Sequence, residues 1–421
     1  SVNLTLCEAS IVPVSETNAP SSARRLSFVD EPPSTMTPET VLSSTLNVSG
    51  VMVLGGSSTN ESLRADDGAL VSLTGTIEAS QRVRFTDSSF QFHGGTLISV
   101  DSPASSGVLL INSTITRDSA SRFITTGLDA RGTDISLFEG DEIEELVITD
   151  GSFAIVNDGT ELNTVFATLN GNISFLGDTS AKFLRALSNA TIRLNSGRLT
   201  AGTIEITDGS GAAQLVQNGG NFTTEVLFLR GGQQVTIGEN DEVTKRISII
   251  NGTQLEIRKP LTLPNDGLGD SLQVQNSELT YIQPTGVNGG LDVTQFGTVS
   301  RNIDLVLNRT ETNGLVWGIR VPGNRPTNVQ PLVDDGRITS NGPIEVIYDA
   351  DLYGDFTYVG FVADQVILGD VNGDGDVNLL DVGPFVQTLA QGLFIPEADT
   401  NGDGVISLLD VGPFIDLLNG P

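Results

Sequence analysis

A small residue returns every twenty or so positions through the middle of this chain, and that period limits the fold more than any other feature. The marks are Gly50, Gly75, Gly95, Ser113, Gly132, Gly151, Gly171, Ala190, Gly209, Gly232, Gly252, Ser277 and Gly297, separated by 25, 20, 18, 19, 19, 20, 19, 19, 23, 20, 25 and 20 residues. Apolar residues alternate on both sides of them. Phe90 and Phe92 stand five and three places before Gly95, and Val108 and Leu110 stand likewise before Ser113. Leu146 and Ile148, Ile204 and Ile206, Leu227 and Leu229, Ile247 and Ile249, and Leu272 and Val274 repeat this spacing before later marks. A period of two is that of a strand, so each mark reads as a bend between strands.

A unit of this length with two or three short strands cannot bury its apolar face alone, whereas copies stacked in parallel share one core. The expected class is therefore all-β, a parallel β-solenoid (β-helix) of about thirteen rungs, on the order of 60 Å long at about 4.8 Å per rung. A β-sandwich of regular hairpins is the alternative, and it would vary its spacing more. The 47 glycines, 17 prolines and 18% charged residues agree with strands and tight turns and speak against helix bundles. Asn-Gly and Asp-Gly at 170–171, 251–252, 150–151 and 208–209 supply residues that tolerate a left-handed corner.

The repeats divide the chain. Residues 1–45, rich in Pro, Ser and Thr, are expected as an extended arm or linker, 46–302 as the solenoid, 303–367 as a β cap or small β domain, and 368–421 as a separate module. The arm's apolar runs Ile11 to Val14 and Leu26 to Val29 are long enough to add a strand to another subunit.

Acidic residues number 52 against 22 basic ones, a formal charge of −30, which excludes nucleic acid and anionic membranes as natural partners. No stretch of about twenty apolar residues is present to enter a bilayer. Cys7 is the only cysteine, so no intramolecular disulfide forms, and Leu6 before it argues against a lipid-attachment site. The chain begins at a serine without a basic and apolar leader, as a secreted product trimmed of its signal peptide would. Asn-x-Ser/Thr occurs at Asn3, Asn47, Asn60, Asn112, Asn172, Asn189, Asn221, Asn251 and Asn308, each a possible glycosylation acceptor.

Catalytic apparatus is sparse. His93 is the only histidine and Trp317 the only tryptophan, and Asp141, Glu142, Glu144 and Glu145 read as a solvated acidic face. A glycan-cleaving site would need carboxylates gathered on neighbouring rungs.

Chemistry concentrates at the C-terminus. Asp370 to Asp381 and Asp399 to Asp410 match almost residue for residue at a separation of 29, and each is followed by Val-Gly-Pro-Phe. A twelve-residue calcium loop takes ligands from positions one, three and five, a carbonyl at seven, often a water held by nine, and an acid at twelve. Those positions are Asp370, Asn372, Asp374, Asp376, Asn378 and Asp381 in the first loop, and Asp399, Asn401, Asp403, Val405, Ser407 and Asp410 in the second. Gly375 and Gly404 at position six permit the sharp turn.

Position twelve is Asp where helix-loop-helix calcium sensors carry Glu, and no helix-length segment precedes either loop. Both features resemble the type I dockerin, a calcium-dependent docking module of bacterial and archaeal secreted proteins, over roughly residues 368 to 421. The resemblance implies two calcium ions, a helix after each loop and a paired-helix surface for a cohesin module. The helices would start near Leu379 and Leu408, with Pro384 and Pro413 confining regular helix to begin around them. Leu379-Leu380 and Leu408-Leu409 occupy the positions that resemble the cohesin-reading pair, where hydroxyl or charged residues are common. Such leucines either anchor a partner or pack against the chain's own body. The whole arrangement also looks like large secreted surface proteins of planctomycete-type bacteria.

The function expected from these readings is that of a non-enzymatic extracellular structural protein in a surface layer, matrix or self-assembling fibre. Its partner would be a second copy joined head to tail or a cohesin-like module. The alternatives are a scaffold-bound component and a polysaccharide-active β-helix enzyme.

Overall fold

The computed structural model describes the strands Val2–Thr5, Arg24–Ser27, Thr35–Met36, Glu39–Leu42, Thr45–Val48 and Val51–Leu54. From residue 61 on it describes all residues except 100–106, 208–212, 265–269, 288, 300–301, 309–313, 364–366, 373–375, 393 and 419–421. The chain forms two compact units. One comprises Ser1–Ile282, Leu291–Leu305 and Pro331–Thr339, and the other Gln283–Gly290, Val306–Gln330 and Ser340–Pro421.

The first unit is a parallel β-solenoid of about 11 turns. Each turn has three strand segments, seen clearly in Thr76–Ala79, Arg82–Thr86 and Ser89–Phe92. These pair in parallel with Thr96–Ser99, Val108–Ile111 and Thr114–Arg117 of the next turn. From Arg122 onward the first two segments merge into single bent strands such as Arg122–Arg131, Thr179–Leu187 and Arg198–Thr207. Register is kept turn after turn. Leu128 faces Leu146, which faces Val165, then Leu184, Ile204, Leu227, Ile247 and Leu272. All eight side chains are fully buried. At about 1.5–3 kcal/mol for each buried aliphatic side chain, such columns are what hold the solenoid together.

The corner ahead of each third segment shows why the period is near twenty. Ala69, Ser88, Ser113, Thr133, Ser152, Gly171, Ala190, Ala213, Gln233, Thr253 and Ser277 occupy one buried column there, one residue per turn. Its hydroxyls bond along the axis: the Ser88 amide donates to Ser113 Oγ at 3.4 Å, Ser113 to Thr133 Oγ1 at 3.0 Å and Thr133 to Ser152 Oγ at 2.9 Å. The residue before each member commonly takes a left-handed backbone, as at Asp87, Asn112, Gly151, Asn189 and Gly252.

The thirteen sequence marks therefore do not form one column. Ser113, Gly171, Ala190 and Ser277 belong to it, whereas Gly132, Gly151, Gly232 and Gly252 are the left-handed residues one place ahead. Gly75 and Gly95 lie at a different corner, between third and first segments, and Gly297 lies within the strand Phe296–Val299. Gly50 and Gly209 fall outside the described residues. A period near twenty is met by any corner of the turn, so spacing alone leaves the corner unassigned.

Parallel pairing also begins earlier than residue 46. Thr35–Met36 pairs with Val51–Leu54 and Glu39–Leu42 with Glu61–Asp66. Val2–Thr5 pairs in parallel with Arg24–Ser27, so Leu26, expected on an arm offered to another subunit, faces Leu4 of its own chain. Ile11 to Val14 lies outside the described residues. At the other end, Ile303 to Leu305 and Arg337 to Thr339 still belong to the solenoid unit.

The interior near one end is aromatic, with ring centroids of Phe85, Phe90, Phe92 and Phe123 4.5 to 5.3 Å apart in succession. Asp141 is part of this interior and not of a solvated face. Arg117 donates Nη2 and Nη1 to its two carboxylate oxygens at 2.7 and 2.9 Å, and both side chains are buried. The guanidinium lies 4.4 Å over Phe123, and the carboxylate also accepts from the Phe123 and Phe138 amides. Only Glu142, Glu144 and Glu145 of the acidic run face solvent.

In the second unit, Gly314–Pro322 and Glu345–Tyr348 flank Phe356–Ala363 in antiparallel pairing. Trp317, Tyr358 and Phe356 gather on this small sheet, with Arg320 over the Trp317 and Phe356 rings at 5.0 and 4.4 Å. Residues 368–421 of this unit hold the paired loops.

Candidate calcium site and docking face

The second loop is described throughout. Gly402 and Gly404 adopt φ of 72° and 79°, which lets twelve residues close on themselves. Asp399 accepts from the amides of Asp403 and Gly404 at 3.2 and 2.8 Å, so the first acid holds the far side of the turn. Asn401 Oδ1 accepts from the Asp403 amide at 2.8 Å, and Asp403 Oδ1 from the Val405 amide at 2.9 Å. Asp410 straps the loop shut by accepting from the amides of Asn401 at 3.2 Å and Ser407 at 2.8 Å. The first loop repeats that strap: Asp381 accepts from Asn372 and Asn378, both at 2.9 Å. Gly373, Asp374 and Gly375 lie outside the described residues.

Both position-twelve carboxylates are fully buried, and Asp370 and Asp399 are nearly so. Asp376, Asn401, Asp403 and Val405 are exposed, Asn372 with them, while Asn378 and Ser407 are half-buried. Arg337 is the last basic residue of the chain, and residues 338–421 contain no Lys, Arg or His. A buried carboxylate is costly unless a cation or strong donors compensate it. Here residues 368–421 contain no side-chain cation, and the described donors to the carboxylates of Asp381, Asp399 and Asp410 are backbone amides.

Among the described residues no three His, Cys, Asp or Glu side chains lie together as a metal-holding group. In the second loop Asp403 Oδ2 is instead engaged by the Asn401 side-chain amide at 3.1 Å. The donors are nevertheless all oxygens, from carboxylates, Asn, Ser and the Val405 carbonyl, with neither thiolate nor imidazole. That chemistry suits a hard cation taking six to eight oxygens. A bound calcium ion would supply positive charge beside these buried acids.

The loops lead into α1, Val382–Gln391, and α2, Val411–Leu418. Pro384 and Pro413 stand in the first turns, where no intrahelical N–H is required. The helices begin at Val382 and Val411, close to those prolines and three residues beyond Leu379 and Leu408. The Phe385 amide donates to the Asp381 carbonyl and the Phe414 amide to the Asp410 carbonyl, each at 2.9 Å. The two rings stack face to face at 3.9 Å and 5°, with Ala398 buried beside them. Each loop's last acid is thus one helical turn from a ring that meets its counterpart.

The profile of the dockerin type I domain matches residues 368–419. The C-terminal segment is a dockerin type I domain. No curated protein and no solved structure matches the chain.

Dockerin domains of this type are generally calcium-binding, bind cohesin modules and occur in extracellular or cell-surface proteins. In this dockerin domain the leucine pairs are open to solvent. Leu379 and Leu408 are each 82% exposed, and Leu380 and Leu409 are 68% and 70% exposed. Val386 and Ile415, on the second turns of α1 and α2, are exposed as well. The sequence reading missed these last two and the Phe385–Phe414 stack. Their signal was present, since the offset of 29 continues past Val-Gly-Pro-Phe to Val386 and Ile415.

Proposed function

We propose that this chain is a non-enzymatic extracellular structural protein whose rigid solenoid is seated on a cohesin-type partner by the dockerin domain, within a surface layer or matrix. The observation that carries this reading is the exposure of two leucine pairs 29 residues apart, each next to a buried loop-closing acid. Large apolar side chains that stay open on a small domain mark a surface for another protein. The solenoid supports the structural part, since its parallel ladders and buried columns run from turn to turn. No described helix is long and apolar enough to cross a membrane. Catalysis has little support in the one histidine, because His93 lies at the surface with Asp118 3.6 Å away.

Isothermal titration of the full chain with a panel of type I cohesin modules in calcium tests the reading. Binding to at least one module, lost on adding chelator and in the variant carrying Leu379→Asp with Leu408→Asp, is the expected result. Absence of binding to every module overturns it.

One observation favours a second reading. An open cleft of about 1180 Å³ follows the solenoid from Ile124 to Thr244 and is lined by Glu142, Glu144, Glu161, Lys182 and Glu225 among threonines. Sugar release from soluble polysaccharides would favour a glycan-active enzyme and replace the structural reading.

A further inference from the structure

The chemistry of the docking face says what kind of partner fits it. Residues 368–421 hold nine acidic residues and no basic ones, so two bound calcium ions would bring the formal charge from −9 to −9 + 4 = −5. Around the apolar positions the exposed charges are of one sign: Asp376 precedes Leu379 by three residues, and Asp416 lies between Ile415 and Leu417. The six open side chains Leu379, Leu380, Val386, Leu408, Leu409 and Ile415 would lose water on docking, while the acids near them would form the rim.

A partner that buries these side chains meets the acids at the edge. Like charges facing one another there cost several kcal/mol, whereas opposite charges steer the encounter and fix its register. A second copy of this chain is a poor occupant on this ground. Residues 1–367 hold 52 − 9 = 43 acids and all 22 basic residues, a net −21, so the body of a second copy would on balance repel this dockerin domain.

We infer that the dockerin domain docks on a foreign protein surface that is apolar at its centre and rimmed by Lys and Arg, and that it rejects a second copy of this chain at low ionic strength. This deepens the reading of the leucine face as a docking surface and rests on it. It fixes the charge of the partner, which that reading leaves open. Salt is the natural lever, because the screening length falls from about 20 Å at about 25 mM to about 4 Å at about 500 mM ionic strength.

The experiment uses the full chain in calcium and two helical model peptides with identical leucines, one with Lys and one with Glu at every polar position. Fluorescence anisotropy is expected to show binding of the Lys peptide, weakened at least about tenfold between those two salt concentrations. The Glu peptide is expected not to bind. A variant with Leu379→Ser, Leu380→Ser, Leu408→Ser and Leu409→Ser should bind the Lys peptide at least about tenfold more weakly. Retained calcium binding and circular dichroism show that this variant is folded, and where it is not, the single variants Leu379→Ser and Leu408→Ser serve. Equal binding of the Lys peptide by wild type and variant means diffuse attraction to an acidic protein and overturns the inference. So does equal binding of the Glu peptide, no binding of the Lys peptide, or a dimer of the full chain in sedimentation at about 25 mM salt. If the Lys peptide behaves as expected and no cohesin module binds, the cohesin reading fails and the charge assignment of the face stands.

Discussion

Single residues in this protein carry tasks that composition does not separate. Gly151 and Gly171 look alike in the sequence, yet Gly151 has φ 79° with open space around its missing Cβ, whereas a Cβ on Gly171 would come 2.1 Å from the Ile148 carbonyl oxygen. The first is a matter of backbone sign and the second of close approach. Gly151→Ala is expected to cost about 1 kcal/mol through left-handed strain. Gly171→Ala is expected to cost more, about 2–3 kcal/mol, because backbone of the previous turn must move. Urea midpoints of the two variants check the order, and a reversed order would mean that the corner adapts. The glycosylation motifs lose some of their force at the same scale. At Asn112 and Asn189 the Asn takes the left-handed backbone and the next residue enters the buried column, so Asn-x-Ser/Thr at these two positions is also what the corner itself selects.

At the scale of elements, the period of the repeat and its alternation made the solenoid legible, because stacking in parallel imposes the same length and the same inward positions on each turn. Which corner a small residue occupied was not legible, since three corners share one period. Nor was the Arg117–Asp141 pair. Its partners are 24 residues apart, one turn along the axis, and nothing local tells an inward Asp from the outward Glu142 beside it. The pair joins successive turns inside an aromatic shell. Removing one member leaves the other charge buried, so Arg117→Ala should destabilise by about 3–5 kcal/mol, while Arg117→Met with Asp141→Leu should cost much less or nothing. Denaturant unfolding of the single and double variants decides this, and additive losses would show that the charges do not depend on each other. The paired loops of the dockerin domain were the most legible element, because their residue spacing and glycine turns are local. The stack of Phe385 on Phe414 was not, since it joins two copies of the motif through space.

The whole molecule combines a β-solenoid with a domain of a type that is generally calcium-binding. The solenoid's columns are apolar or joined by hydroxyl hydrogen bonds, and its one described buried pair of opposite charges is internal, so chelation is expected to leave its interactions untouched. The dockerin domain has four buried or nearly buried loop acids, no basic residue and a small core of Phe385, Ala398 and Phe414. A core of that size supplies little stability of its own, and the free energy of metal binding becomes folding free energy. In chelator the full chain should therefore keep its β circular dichroism and lose the helical contribution of α1 and α2, and calcium should restore it. Titration should count about two ions, with Asp403→Ala and Asp374→Ala each removing about one. Because Asp381 and Asp410 are linked through adjoining stacked rings, loss of one site should also weaken the other, so each variant's remaining ion should bind less tightly than in the wild type. Full helical signal in chelator would mean that amide bonds alone hold Asp381 and Asp410, and the loops would then be acidic turns and not calcium sites.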